Sequence, residues 1–272
     1  MRVVAIGGGH GLAVTLRAAA TYADSLTAIV SVADDGGSSG KLREATGLPA
    51  MGDIRHCLSA LAEPSVLGEM FEHRFTDELD GHALGNLMIV ALAQRIGFRP
   101  AIDELARLLA VPARVLPATE EPVELVAVTS DGVVRGQVAI QQSKGIKRVS
   151  LDPAEPRADD DALAAIAAAD QIVVGPGSLF TSVLAALAVP GIRLAVGASD
   201  AQVVYVCNLR PQVPETAGYD HDAYVQALLD HGVEPDEVVD DAELTRPDGR
   251  AHDPKALAQR LAALLGTAQP RG

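Results

Sequence analysis

The chain predicts an α/β fold: a parallel sheet with helices on both faces and a small β-rich embellishment in the middle. Three observations carry this. A β-branched run (Arg2–Ile6) passes through a glycine-rich turn (Gly7–Gly11) into a helical pattern (Leu12–Tyr22) and then a second strand (Leu26–Val32), which is the βαβ unit of a parallel sheet. A buried-strand pattern at Gln171–Val174 again leads through glycines (Gly175, Gly177) into a helical pattern at Leu179–Ala188. Between these halves, Val123–Val128 alternates apolar and polar residues and meets the turn Asp131-Gly132, the mark of a β-hairpin.

Taken in order, the second strand is followed by a polar turn, Asp34–Gly40. Helical patterns then run over Asp53–Ala62, Val66–Phe75, Leu84–Ile96 and Ile102–Leu109. Pro117, Pro122 and the alternating segment mark a β embellishment of about 113–149 on one domain spanning 1–272. Asp159–Ala169 reads as a helix before the Gln171–Val174 strand, and Val203–Asn208 as a further strand. From Asp220 the pattern is helix, short strand and helix, closing near Leu265, with Thr267–Gly272 expected to fray.

Bulk properties narrow the function. With 272 residues, 3% aromatics and no Trp, the core is expected to be Ala, Val, Leu and Ile. A formal net charge of −14 argues against a general nucleic-acid binder, since nothing would neutralise an extended phosphate backbone. Cys57 and Cys207 stand apart with no CxxC spacing, so reduced thiols are expected instead of a disulfide framework or zinc site. A strand begins at Arg2, no apolar run is long enough to span a bilayer, and a cytoplasmic location is expected.

Chemistry is concentrated at the strand ends. Gly8, Gly9, His10 and Gly11 lie where backbone N–H groups and a helix dipole receive an anion, although the third glycine of the dinucleotide fingerprint is missing. A tight turn needing small residues is the plainer alternative. After the second strand, Asp34 and Asp35 can hold a magnesium ion or orient a sugar hydroxyl, while Gly37, Ser38 and Ser39 can approach an anion. The same turn can grip an NAD ribose or simply be solvated. It fails as a P-loop, because Gly36 to Lys41 is one residue short and Leu42 replaces the hydroxyl. Gly36-Gly37-Ser38-Ser39-Gly40 also matches G-x-S-x-G, but two aspartates beside a nucleophile would oppose a developing oxyanion.

Further along, Asp53 is placed as a helix N-cap, and Arg55, one turn in, can reach a phosphate bidentately. Asn86 follows a Gly81-His82 loop whose histidine has an ordinary structural role available. Gly175, Gly177, Ser178, Leu179, Thr181 and Ser182 form a second strand-to-helix anion site, where a single hydroxyl would suffice as a cap. Two such turns suit two phosphates of one ligand at the carboxyl edge of a sheet, and Asn208 can read its base or sugar. No catalytic residue is assigned.

Seven segments in order resemble the gluconeogenesis-factor (YvcK-type) family, related to the phospholactate transferases (CofD-type) of deazaflavin cofactor synthesis. They are Gly7–Leu12, Val32–Gly40, Gly52–Arg55, Gly81–Asn86, Gly175–Ser182, Tyr205–Asn208 and Glu215–Tyr219. The resemblance reaches about His231. It implies a Rossmann-like fold, a UDP-sugar ligand, notably UDP-N-acetylglucosamine, and a cytoplasmic role linking carbon supply to cell-wall synthesis and cell shape. Cell-wall synthesis regulators are the partners it implies, and a homo-oligomer is expected. Family members often carry Thr where this chain has His10, and the transferase relatives differ after the Asp-Asp turn. A non-catalytic nucleotide-sugar sensor therefore leads, with a transferase of phosphorylated groups and an NAD-binding oxidoreductase as the other readings.

Overall fold

A computed structural model describes residues 1–76, 81–246 and 251–265. The expected fraying of Thr267–Gly272 falls outside these described residues. The main sheet has six parallel strands: β1 (Arg2–Gly7), β2 (Ser25–Val30), β3 (Arg114–Pro117), β7 (Gln171–Val174), β8 (Gln202–Val206) and β9 (Glu237–Val239). Their order is β3-β2-β1-β7-β8-β9. Strands β7 and β8 are buried at every residue, and β1 at all but Arg2. A strand covered on both faces cannot tolerate polar alternation, which is why these read as continuous Val/Ile runs.

Between β4 (Glu124–Thr129), β5 (Gly132–Arg135) and β6 (Ile146–Asp152) lies a separate antiparallel layer in the order β5-β4-β6. Its hairpin register pairs Val128 with Val133 and Thr129 with Gly132, around the Asp131-Gly132 turn. This layer is the expected embellishment with shifted bounds. Arg114–Pro117, placed there by sequence, instead joins β2 in the main sheet, and the layer continues to Asp152. A short helix, α7 (Gln137–Gln141), bridges β5 to β6.

The remaining helices are α1 (Gly9–Ala19), α2 (Gly37–Thr46), α3 (Gly52–Leu61), α4 (Val66–Glu72), α5 (Leu84–Ile96), α6 (Phe98–Leu108), α8 (Asp160–Ala167), α9 (Leu184–Leu187), α10 (Pro190–Gly197), α11 (His221–Asp230) and α12 (Pro254–Leu265). Helix α1 packs on α3 and α12. A π-helical turn at Leu179–Val183 precedes α9. No single helix among the described residues is long and apolar enough to cross a membrane.

Three sequence expectations change. The Asp34–Gly40 turn is shorter than read, because α2 already begins at Gly37. Its Gly-Ser-Ser-Gly start has poor helix propensity, and tertiary bonds hold it: the Ser39 hydroxyl accepts the Gly52 N–H at 3.2 Å, and Asn86 donates to Ser38 at 3.0 Å. Asp53 is not an N-cap, since α3 starts at Gly52 and its own first turn receives no side-chain cap. The helix expected over Leu179–Ala188 opens as the π-helical turn.

Candidate functional site

The strand order reverses between β1 and β7, and in open parallel sheets the crevice beyond the strand ends at such a reversal is where ligands bind. Here the two glycine turns face each other across it. A β-carbon on Gly11 would overlap the Pro176 carbonyl and lie 2.8 Å from Gly177 Cα, so the turns close only because position 11 lacks a side chain. Thr15 of α1 locks the contact, its hydroxyl donating to the Gly175 carbonyl at 2.6 Å. Asn208, at the end of β8, accepts the Gly177 N–H at 3.0 Å and donates to the Gly177 carbonyl at 2.6 Å. Its amide thus serves to position the second turn.

Both helix starts at this crevice receive a carboxylate of the chain itself. The Gly9 N–H at the head of α1 donates to Asp53, whose oxygen fills the space beside Gly8. Burial and the nearby Asp34 charge push Asp53 up to about 7, although the Gly9 hydrogen bond favours its ionised form. At the π-helical turn, Glu215 accepts the N–H groups of Phe180 (2.8 Å) and Thr181 (3.3 Å), and the Ser178 hydroxyl also donates to it. Ser178 and Thr181 further bond each other. Thr181 is 2% exposed and Leu179 fully buried, so this second turn is an internally capped structure and Leu179 belongs to the core. Sequence reasoning missed Glu215 as a capping group.

The Asp34-Asp35 pair does not converge. Asp34 faces the crevice, accepting the Gly36 N–H at 2.9 Å and the Ser39 hydroxyl, and burial raises its pKa. Asp35 instead accepts the Val138 N–H at 2.9 Å and anchors α7. Among the described residues no group of three His, Cys, Asp or Glu side chains gathers as a metal site. Gly37 opens α2, with open space where a β-carbon would stand, and does not line the crevice.

Arg55, expected to meet phosphate, is 2% exposed and fully engaged inside the protein. Its Nε donates to Asn86 Oδ1 at 3.1 Å, one terminal nitrogen pairs with Glu72, and the other donates to His56 Nε2 at 2.9 Å. Asn86 passes the network on to Ser38, which also bonds His82 Nδ1 at 3.0 Å. Ser38, Ser39, Arg55 and Asn86 therefore tie α2, α3 and α5 together behind the crevice. His56, whose Nε2 accepts from Arg55, carries its proton on Nδ1; burial and the adjacent guanidinium lower it to about 4. Its ring lies 4.6 Å from that of His10, and both face the crevice.

The crevice has two connected ends that share His10, Gly11, His56, Gly177 and Gln212. One, of about 310 Å³, is bounded by Gly8, Gly9, Asp34, Asp53, Ser178 and Ser182, with Gln137 and Gln141 reaching in from α7. The other, of about 640 Å³, is lined by Arg17 of α1, Arg210 after β8 and Arg246 beyond β9. Glu72 also lies there, but it is paired with Arg55. The crevice is thus acidic at one end and basic at the other, a suitable place for a ligand with an anionic part and a neutral polar part. The arginines were not legible as site residues in the sequence, because their sole signal was charge.

Residues 3–257 match the family model described as 2-phospho-L-lactate transferase CofD. A gluconeogenesis factor from Halalkalibacterium halodurans is 46% identical over 235 residues, covering 84% of this chain and 73% of that protein. A relative from Deinococcus radiodurans is 43% identical over 247 residues, covering 88% of this chain but 53% of its own length, so this chain spans about half of it. The crystal structure of a UPF0052 family member from Bacillus halodurans superposes with a TM-score of 0.90 at 36% identity, covering 96% of this chain and 98% of that one.

Proposed function

The chain belongs to the gluconeogenesis-factor family, within the wider CofD family, and from that premise we propose that it is a nucleotide-sugar-binding regulatory protein. Its ligand in this reading is UDP-N-acetylglucosamine, and its role is to couple carbon metabolism in gluconeogenic growth to cell-wall synthesis and cell shape. The carrying observation is the crevice at the β1/β7 reversal, one end of which is lined by three arginines from separate segments in a chain of net charge −14. Arginines lining one cleft suit a diphosphate, and the uridine and sugar identities rest on the family resemblance.

Titration of the protein with UDP-N-acetylglucosamine, UDP, GDP and NAD, with and without magnesium, tests this by calorimetry and thermal shift. UDP-N-acetylglucosamine is expected to raise the melting temperature, because a ligand selective for the native state stabilises it. Stabilisation by NAD and not by the uridine nucleotides would overturn the reading.

A second reading, transfer of a phosphorylated group from a nucleotide-activated donor, is favoured by one observation besides the family model. Asp53, whose carboxyl burial and the Asp34 charge push up to about 7, lines the crevice and is suited to move a proton at neutral pH. Release of UMP from a UDP-sugar in the presence of magnesium, with the sugar phosphate passing to an acceptor hydroxyl and the whole reaction abolished in Asp53→Asn, would establish it over the sensor.

A further inference from the structure

Within the nucleotide-sugar reading above, we propose that the ligand lies in one direction only: its sugar occupies the acidic end of the crevice, and its diphosphate the arginine end. Gln137, Gln141 and Gln212 select the sugar. Asp34 and Asp53 stand at the smaller end, which no arginine or lysine lines, so a diphosphate would find no cation there while a neutral, hydroxyl-rich ring would find hydrogen-bond partners. At the neck shared by both ends sits Gln212, whose Oε1 is buried and has no hydrogen-bond partner. A buried carbonyl oxygen left without a donor is costly, and a hydroxyl or amide N–H of a bound sugar would satisfy it.

The segment is built to hold that oxygen in place. The Gln212 N–H donates to the Thr216 hydroxyl at 2.8 Å, and the Thr216 N–H donates back to the Gln212 carbonyl at 2.7 Å. Opposite, Gln137 and Gln141 lie four residues apart on α7, hence on one face, and both border the same end. Among the described residues neither side-chain amide is hydrogen-bonded, which leaves both donor and acceptor groups available. Helix α7 is itself fixed from the sheet side by the Asp35–Val138 bond. Amides and carboxyl groups around one small pocket provide the paired donors and acceptors that adjacent sugar hydroxyls need.

The test is calorimetry of the wild type and of Gln212→Ala, Gln212→Glu, Gln137→Ala and Gln141→Ala, each against UDP-N-acetylglucosamine, UDP-glucose and UDP. Gln212→Ala is expected to weaken both UDP-sugars on the order of tenfold, the scale of a lost buried hydrogen bond. UDP affinity should stay within about twofold, because none of the three arginines is altered. Gln212→Glu, which keeps the acceptor, should retain most sugar affinity, and the two α7 variants should change the preference between the acetamido and plain sugars. Equal losses for UDP and the UDP-sugars, or none at all, would overturn the orientation while leaving the nucleotide site standing. No binding of any of the three by wild type would remove the nucleotide-sugar reading, and this inference with it. Circular dichroism on each variant confirms folding, so a loss of sugar binding is read on native protein.

Discussion

A side chain on Gly8 would overlap Asp53 Oδ2, so the missing β-carbon at the end of β1 is what lets the α3 carboxylate reach the head of α1. The consequence is a carboxyl group that resists ionisation. Its native pKa of about 7 exceeds the ordinary value near ~3.9, so the folded state holds its proton more tightly than the unfolded one. Stability from this group is therefore greatest below about pH 4 and declines as pH rises through 7. Asp53→Asn, which keeps an acceptor for Gly9, should raise stability at pH 8 by about 1–3 kcal/mol and by little at pH 4. Urea denaturation at both pH values checks this, and an equal effect at the two would contradict it.

His56 behaves in the opposite sense. Burial and Arg55 lower it to about 4, so the native state disfavours its charged form. Its contribution is fully present above the unfolded value near ~6.5 and is lost as pH falls towards 4. His56→Gln should flatten the acid side of the stability profile, and in NMR the wild-type ring should show no titration between about pH 5.5 and 8. A ring titrating near 6.5 would refute it.

Arg55 is expected to matter for folding and not for phosphate binding. Arg55→Met strips Glu72, Asn86 and His56 of their partner; Glu72 is half-buried and can turn to water, so the cost is that of lost hydrogen bonds from a charged donor, about 1.5–3 kcal/mol. Asn86→Ala should destabilise less, and the double variant should cost less than the sum, because both act in one network. A normally stable Arg55→Met protein that no longer binds UDP would instead return Arg55 to the ligand.

Glu215 carries the π-helical turn. Glu215→Ala leaves the Phe180 and Thr181 N–H groups and the Ser178 hydroxyl without their acceptor, and should lower stability by about 2–4 kcal/mol in chemical denaturation. Glu215→Gln, with one acceptor oxygen retained, should cost about half as much.

At the basic end, Arg17→Ala and Arg210→Ala should each weaken UDP by about threefold to tenfold, with the wild-type affinity falling as salt rises. Arg157→Ala, at an exposed pair with Asp160 away from the crevice, serves as the unchanged control. Equal affinities at low and high salt would exclude a diphosphate held by these arginines.

The order of strands and helices was legible because it is local. Leu84–Ile96 and Gln171–Val174 were found with the observed bounds, the burial of a strand or a helix face being written in adjacent residues. So were the glycine turns, since close backbone approach has no other residue type available. Helix α2 was not legible, because Gly37-Ser38-Ser39-Gly40 disfavours a helix on its own and is held by Gly52, Asn86 and His82 from other elements. For the same reason Asp34, Asp53, Gly8, Gly9, Gly11 and Gly177 line the crevice, while Arg55, Ser38 and Asn86, expected at a ligand, bond within one network of the protein. What each polar group bonds is decided by which elements the sheet order β3-β2-β1-β7-β8-β9 brings together. That order places Arg17, Arg210 and Arg246 in one cleft and Glu215 at the Leu179 turn. Sequence thus determined the elements and the strand-end location of the site; tertiary structure decided its polarity, because charges distant along the chain interact only through the folded arrangement that sets their separation.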